Sequence, residues 1–330
     1  MNRYARQMLL PEVGESGQDR LGDATVAIVG AGGLGCPALQ YLAGSGIGTI
    51  RLVDGDTVAE HNLHRQPLYG STTVGLPKVE AAAAAIQNLN PDVRLEPLYE
   101  ALTPANIDTV LDDADVVLDC ADSFAATYTL SDACFERRLP YITASALALG
   151  GYAGGFCGGG PSVRALFPDL PDSLASCDTA GVLGPVVGLL GALQAQMTLA
   201  VLLDLSPSPL GQMVNVDAGG LRFSSFRFDN APEPDAGNYP FIAASQVTPT
   251  DLVIELRPKS EAPEPALPQA VRVGMYDIQP SGFRPEPGRR TVLCCRTGLR
   301  AWRAARALDG YADTSIALLA APDVANQVTP

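Results

Sequence analysis

Thr25-Val26-Ala27-Ile28-Val29-Gly30-Ala31-Gly32-Gly33-Leu34-Gly35 is a short β-branched run that breaks into glycines and continues into an apolar stretch ending near Ala43. A strand, then Gly-x-Gly-x-x-Gly, then a helix is a nucleotide-binding turn. The glycines let the backbone approach a phosphate, and the helix N-terminus favours its negative charge. Working outward, Thr49–Val53 reads as a second strand ending at Asp54, whose carboxylate suits a ribose hydroxyl. Lys78–Leu89 reads as a helix with five consecutive alanines at 81–85, Val116–Asp119 as a buried strand, and Tyr141–Ala144 as another after a helix around Leu130–Arg137. This alternation predicts an α/β fold with a Rossmann-like parallel sheet flanked by helices.

Between Gly150 and Gly160 glycine dominates, which weakens any strand and suggests turns or close backbone approach. Asp229–Asn238 has the composition of a linker. After it the pattern restarts: Asp251–Leu256 is a strand, Pro258–Gln269 a proline-rich loop, Thr291–Cys294 a strand and Leu299–Leu308 a helix. Two units follow, residues 1–243 with a linker at about 229–243, and a short α/β unit over 244–330.

The chain has 330 residues with 36 acidic and 22 basic side chains, a net charge of −14. That balance argues against a nucleic-acid partner, which needs a basic footprint. Seven cysteines show no framework spacing, and Met1 leads straight into polar Asn2–Gln7, so free thiols in a reducing cytoplasm are expected. The only histidines are His61 and His64, which excludes His-rich metal sites. Thr179–Leu203 carries no charge, but Gln194 and Gln196 interrupt it and its flanks are Asp178 and Asp204. A buried core or interface helix is therefore expected in place of a membrane span.

On the glycine turn and Asp54 alone, a nicotinamide dehydrogenase is a fair reading. The segments Asn62-Leu63-His64-Arg65-Gln66, Gly75-Leu76-Pro77-Lys78 and Asp119-Cys120-Ala121-Asp122-Ser123 change it. Each charge taken singly reads as a solvated surface group. Together, Arg65 and Lys78 can neutralise charge developing on phosphates and Asp122 can hold magnesium, as cleavage of ATP between the α and β phosphates requires.

With Arg3-Tyr4-Ala5-Arg6-Gln7 and Val29–Pro37, these motifs resemble the MoeB/ThiF family, ubiquitin-activating-enzyme-like proteins that adenylate the C-terminal glycine of small sulfur carriers. The resemblance covers residues 1 to about 228. It implies an ATP site built from Gly30, Gly32, Gly33, Gly35, Asp54, Asp56, Asn62, Arg65, Gln66, Lys78, Asp122 and Ser123, with Asp122 binding Mg2+. It also implies a homodimer in which Arg6 reaches the partner's site, and a ubiquitin-like carrier ending in Gly-Gly as partner. The family usually binds zinc through two Cys-x-x-Cys pairs. Here those positions are Ser162-Val163-Arg164-Ala165 and, nearby, Ala231-Pro232-Glu233-Pro234, so no zinc is expected.

Two thiols stand out. Cys177 lies in a polar, glycine-containing segment before the apolar helix, where a helix N-terminus can lower a thiol pKa. A free cysteine is more often a buried small hydrophobe. The resemblance implies a mobile crossover loop and a covalent link to the carrier. Cys295-Arg296-Thr297-Gly298-Leu299-Arg300 follows a strand and resembles the active-site loop of a rhodanese domain, implying a persulfide fed by a donor such as a cysteine desulfurase or thiosulfate. Ile254-Glu255-Leu256-Arg257 resembles that family's earlier strand motif, with glutamate where aspartate is usual; the unit is short and lacks the usual closing glycine pair. By strand alternation Cys294 points into the core. The expected function is adenylation of a carrier followed by sulfur transfer. The alternatives are an adenylyltransferase without its own sulfur step, with the rhodanese-like unit serving only for docking, the dehydrogenase, or a non-catalytic scaffold.

Overall fold

The computed structural model describes residues 2–169, 181–235, 237–278, 282–309 and 315–321. Eight strands form the larger sheet: β1 (Thr25–Val29), β2 (Thr49–Val53), β3 (Arg94–Leu98), β4 (Val116–Asp119), β5 (Pro140–Leu147), β6 (Gly150–Cys157), β7 (Gln212–Asp217) and β8 (Arg222–Arg227). Their order is β3-β2-β1-β4-β5-β6-β7-β8, parallel from β3 to β5 and antiparallel from β5 to β8. The chain fills one side of β1 with β2 and β3, then crosses to place β4 on the other side. That reversal opens a crevice at the C-terminal ends of β1 and β4, the place where such sheets bind ligands.

Alternation along β1 sorts the core. Val26 and Ile28 face the layer containing α2 (Gly35–Ser45), α3 (Lys78–Leu89) and α7 (Gly184–Leu202), with Leu39, Leu42, Ile86 and Leu190. Ala27 and Val29 face the opposite layer, which holds α5 (Phe124–Arg137) and α6 (Val163–Leu166) with Tyr128, Cys134 and Val163. Two further helices are α1 (Gly14–Asp23) and α4 (Ile107–Leu111). Both faces of β1 and β4 are covered, which is why these strands read as continuous apolar runs.

The uncharged segment forms α7, long and apolar enough by length and composition to span a bilayer. It lies against α2 and the sheet, burying Val186, Val187, Leu190 and Ala195. Its interrupting Gln194 is fully buried, and Nε2 donates to Asp119 O at 2.7 Å.

The weak-strand expectation for the glycine-rich segment fails: β6 is an eight-residue strand paired on both sides. Its glycines reflect crowding. A Cβ at Gly151 would lie 2.2 Å from Ser145 O and 2.6 Å from a Leu190 methyl of α7. A helix also starts earlier than expected, at Phe124, because Ser123 caps it by accepting the Ala126 N–H.

The C-terminal unit is a second, wholly parallel sheet in the order β10-β9-β11-β12: β9 (Leu252–Glu255), β10 (Val271–Arg272), β11 (Thr291–Cys295) and β12 (Ile316–Ala320). Helix α8 (Leu299–Ala307) packs on the β11 face that carries Leu293 and Cys295. The linker-like segment is not a free tether. Phe241 bridges Leu318 of β12, Ile242 N–H donates to Leu318 O, and Leu318 N–H donates to Pro240 O. Trp302 of α8 joins the layer with Tyr128 and Val29 in one continuous core.

Candidate active site

The glycine turn sits in the crevice, held from three directions. From β2, Asp54 accepts the Ala31 N–H (2.7 Å) and the Asp56 N–H (2.8 Å). Burial pushes the Asp54 carboxyl up, against the pull of Lys78. From β4, the backbone closes in so tightly that a Cβ on Gly30, whose φ is +99°, would lie 2.5 Å from Cys120 O. From above, Gln66 is buried with Nε2 3.6 Å from a Cβ position on Gly32. Gly35 starts α2 so close to Gly30 that a Cβ would lie 2.0 Å from Gly30 O. The first turn of α2 is thereby aimed into the crevice, as a phosphate site requires.

The cations and carboxylates gather there too. Lys78, the first residue of α3, is 6% exposed and its Nζ pairs with exposed Asp56 at 2.8 Å. The pair keeps the ammonium pre-set on the crevice side of α3. Asn62 is buried, and its carbonyl accepts the N–H groups of Arg65 and Gln66. Arg65 is half-buried; its Nη1 lies 2.9 Å from His64 Nε2 and donates to His61 O at 3.3 Å. Asp122 is exposed two residues past Cys120, beside Gly30, and Ser123 caps α5 behind it.

One predicted site residue is not brought to this crevice. Arg6 is exposed in a segment whose Tyr4 ring packs on Gly46, at the C-terminal end of α2, opposite the glycine turn. An eleven-residue helix separates the two. Cys177 lies outside the described residues.

Sequence reasoning missed the supports. Tyr69 is buried, and its hydroxyl donates to Ala31 O in the turn (2.8 Å) and lies 3.4 Å from Lys78 O, tying the turn to α3. Asp119 is buried and its Oδ2 accepts the hydroxyls of Thr127 (2.6 Å), Tyr141 (2.8 Å) and Thr143 (3.0 Å), while Oδ1 accepts Ala121 N–H. Burial pushes its carboxyl up, and those donors pull it back. With its oxygens so occupied, Asp119 anchors the loop and leaves Asp122 as the carboxylate facing solvent. Among the described residues no three His, Cys, Asp or Glu side chains cluster as a metal cage. Asp122, a single exposed carboxylate, would offer one protein oxygen to a magnesium ion whose other ligands are phosphate oxygens and water.

The second candidate site is around Cys295. The sequence places this residue in a loop; the structure makes it the last residue of β11, 1% exposed. Its Sγ accepts the N–H groups of Gly298 (3.2 Å) and Ala301 (3.4 Å). Converging amides at a helix start stabilise a sulfur anion. Gly298 has φ +88°, and a Cβ there would lie 2.5 Å from the Phe241 ring, so the strap 239–242 roofs the turn. Arg300 is held by a bidentate pair with Glu261; that pair and the Cys295 sulfur raise the pKa of its guanidinium. Arg296 and Thr297 are exposed, and Leu299 opens α8. Cys294 points the other way, among Val253, Val292 and Leu319, and burial pushes its thiol up to about 12. Glu255 is fully buried and paired with Arg257, tying the end of β9.

Comparison with known proteins bears on the first site. The chain is 45% identical over 237 residues to the adenylyltransferase and sulfurtransferase uba4 of Pyricularia oryzae, covering 68% of this chain and 48% of that protein. It is 45% identical over 221 residues to the adenylyltransferase and sulfurtransferase MOCS3 of Bos taurus, covering 66% and 49%. The chain thus spans about half the length of those curated relatives. The SAMP-activating enzyme E1 of Haloferax volcanii is 38% identical over 235 residues, covering 71% of this chain and 87% of that protein. Among solved structures, E. coli MccB superposes with a TM-score of 0.62 at 25% identity, covering 70% of this chain and 71% of that one. Residues 4–238 match the ThiF family, and the chain belongs to it.

Proposed function

We propose that this chain uses MgATP to adenylate the C-terminal glycine of a ubiquitin-like sulfur carrier and then passes sulfur to it. The observation that carries the reading is the convergence of the Gly30–Gly35 turn, Arg65, Lys78 and Asp122 on one crevice. There the carrier's carboxylate attacks the α-phosphorus, the α–β phosphoanhydride breaks and pyrophosphate leaves. The α2 amides, Lys78 and Arg65 stabilise the charge that builds on the phosphate oxygens. Asp54 fits the ribose, and Asp122 would hold the magnesium ion, which supplies charge neutralisation between the phosphates. Arg6, exposed and remote from its own crevice, would complete a partner's site in a homodimer.

We take residues 1–243 as the adenylating unit and 244–330 as a rhodanese-like unit. A persulfide on Cys295 attacks the acyl carbon and displaces AMP. Attack of the Cys177 thiolate on the Cys295 sulfur then releases the carrier thiocarboxylate and leaves a Cys177–Cys295 disulfide, which a dithiol reductant must reopen. The sulfur donor is a persulfide source or thiosulfate, and a reducing cytoplasm suits the free thiols.

One observation favours a second reading. Cys295 is 1% exposed, as expected if the C-terminal unit only docks the carrier and the chain adenylates without its own sulfur step. Carrier-dependent ATP–pyrophosphate exchange tests the shared step, with a panel of small proteins ending in Gly-Gly. Exchange with one carrier supports adenylation and identifies the partner. No exchange with any carrier while ATP still binds rejects the assignment of these carriers as substrate.

A further inference from the structure

The two units are joined around one side chain. Arg164, 5% exposed at α6, makes a bidentate pair with Asp132 of α5 (2.6 and 2.8 Å) and donates to Tyr239 O in the strap (3.3 Å). Its guanidinium carbon also lies 4.9 Å from the Tyr128 ring centroid and 5.4 Å from that of Trp302. A planar guanidinium can fork onto a carboxylate and stack on rings at once, which an ammonium cannot. Around it, Ser162 donates to Glu233 through both N–H (2.7 Å) and Oγ (2.6 Å), pinning the start of α6 to the strap's root. A second tie runs from Arg306 of α8 to Asp169 at 2.9 Å.

These positions, 162–165 and 231–234, are where the resembling family places its zinc cysteines. The donors present do not fit that ion. Ser162, Arg164 and Glu233 offer no thiolate or imidazole, and a buried guanidinium repels a dication. The same two segments are held here by hydrogen bonds, with Arg164 free to reach outward to the C-terminal unit.

Both places Arg164 reaches lead to Cys295. Trp302 lies in the first turn of α8, next to Ala301, whose N–H points at the sulfur. Tyr239 lies two residues before Phe241, which roofs Gly298, the other amide on the sulfur. We propose that Arg164 is a positioning residue for the Cys295 turn: it clamps α8 and the strap onto the adenylating unit and so keeps the sulfur shielded. The seam is not a fully satisfied one. Among the described residues, Arg164 Nη1 and Trp302 Nε1 are buried with no hydrogen-bond partner, which weakens the joint and suits a contact that opens during turnover.

This inference rests on Cys295 being the working thiol, but its test does not. Trp302 is the single tryptophan of the chain, so its emission reports the joint directly. In full-length Arg164→Met, Trp302 emission should shift to the red. Alkylation of Cys295, followed by peptide mass spectrometry, should be roughly ten-fold faster, as a loosened local opening requires. ATP affinity should stay unchanged. Folded variant protein with wild-type emission and wild-type alkylation overturns the proposal. Should Arg164→Met not fold, Asp132→Asn keeps the stacked guanidinium and loosens its fork. It should speed alkylation by a smaller factor, and an unaltered rate there is equally fatal. A wild type that forms no thiocarboxylate would overturn the sulfur-transfer reading alone.

Discussion

Both units of this molecule end a central parallel strand in a tight turn and start a helix immediately afterwards, yet they present the helix start differently. After β1, the Gly30–Gly35 turn faces a crevice lined by half-buried Arg65, buried Lys78 and exposed Asp122. After β11, the turn Cys295–Gly298 closes on its own sulfur and is roofed by Phe241. The same backbone electrostatics serves two purposes. Where Gly30, Gly32, Gly33 and Gly35 shape the turn, no side chain folds back onto the start of α2 and an incoming phosphate can approach it, with the Ala31 N–H held by Asp54. Where its first residue is cysteine, the Gly298 and Ala301 amides are already engaged by the side chain, and the turn holds the sulfur away from water.

The largest effect that would sharpen this contrast is at the open turn. Lys78→Met keeps the buried stem and removes the charge, so pyrophosphate exchange should fall by about 100- to 1000-fold. Trp302 emission, which reports the closed turn, should not move. A fall below ten-fold would show that the ammonium does not act on the phosphates. Next, Gly35→Ala forces a methyl onto Gly30 O and should cost about 2–4 kcal/mol in urea unfolding, with loss of ATP binding. Retained ATP affinity would show that the turn can relax without its tight geometry.

A smaller, pH-dependent effect belongs to the closed unit. Hydrogen bonding from Arg290 holds the Asp251 carboxyl down at about 2, with the Thr248 N–H adding to it. Because this pKa lies below the unfolded value, the pair's stabilisation is complete above about pH 4 and lost as pH falls towards 2. Asp251→Asn should therefore be about 2 kcal/mol less stable than wild type at pH 7, with the gap closing near pH 2. A gap independent of pH would mean that packing, not charge, makes the difference.

What was legible in the sequence was local. The β1 run, its glycine spacing and Asp54 lie within thirty residues and need no knowledge of strand order. The same is true of Cys294, whose core-facing side follows from strand alternation; Cys295 reads as a loop residue and is instead the last residue of β11, buried on the opposite face. The glycines of β6 misled because glycine reads as a breaker, while their actual cause, close approach of Leu190 and Pro209, lies far along the chain. Tyr69 and Asp119 were invisible as supports for the same reason. Neither side chain has a local pattern: Tyr69 acts by reaching Ala31 in the turn after β1, and Asp119 of β4 by meeting Tyr141 and Thr143 of β5. Arg164 is the extreme case, since its partners Asp132, Tyr239 and Trp302 come from three separate segments.

The division of labour between the open and closed turns stands or falls on Cys295→Ala. With the carrier that supports exchange, the variant should retain pyrophosphate exchange within about two-fold, since no described residue of the crevice bonds this thiol, and should yield no carrier thiocarboxylate by mass spectrometry. Parallel loss of both, or thiocarboxylate formed at the wild-type rate, would rule out that division.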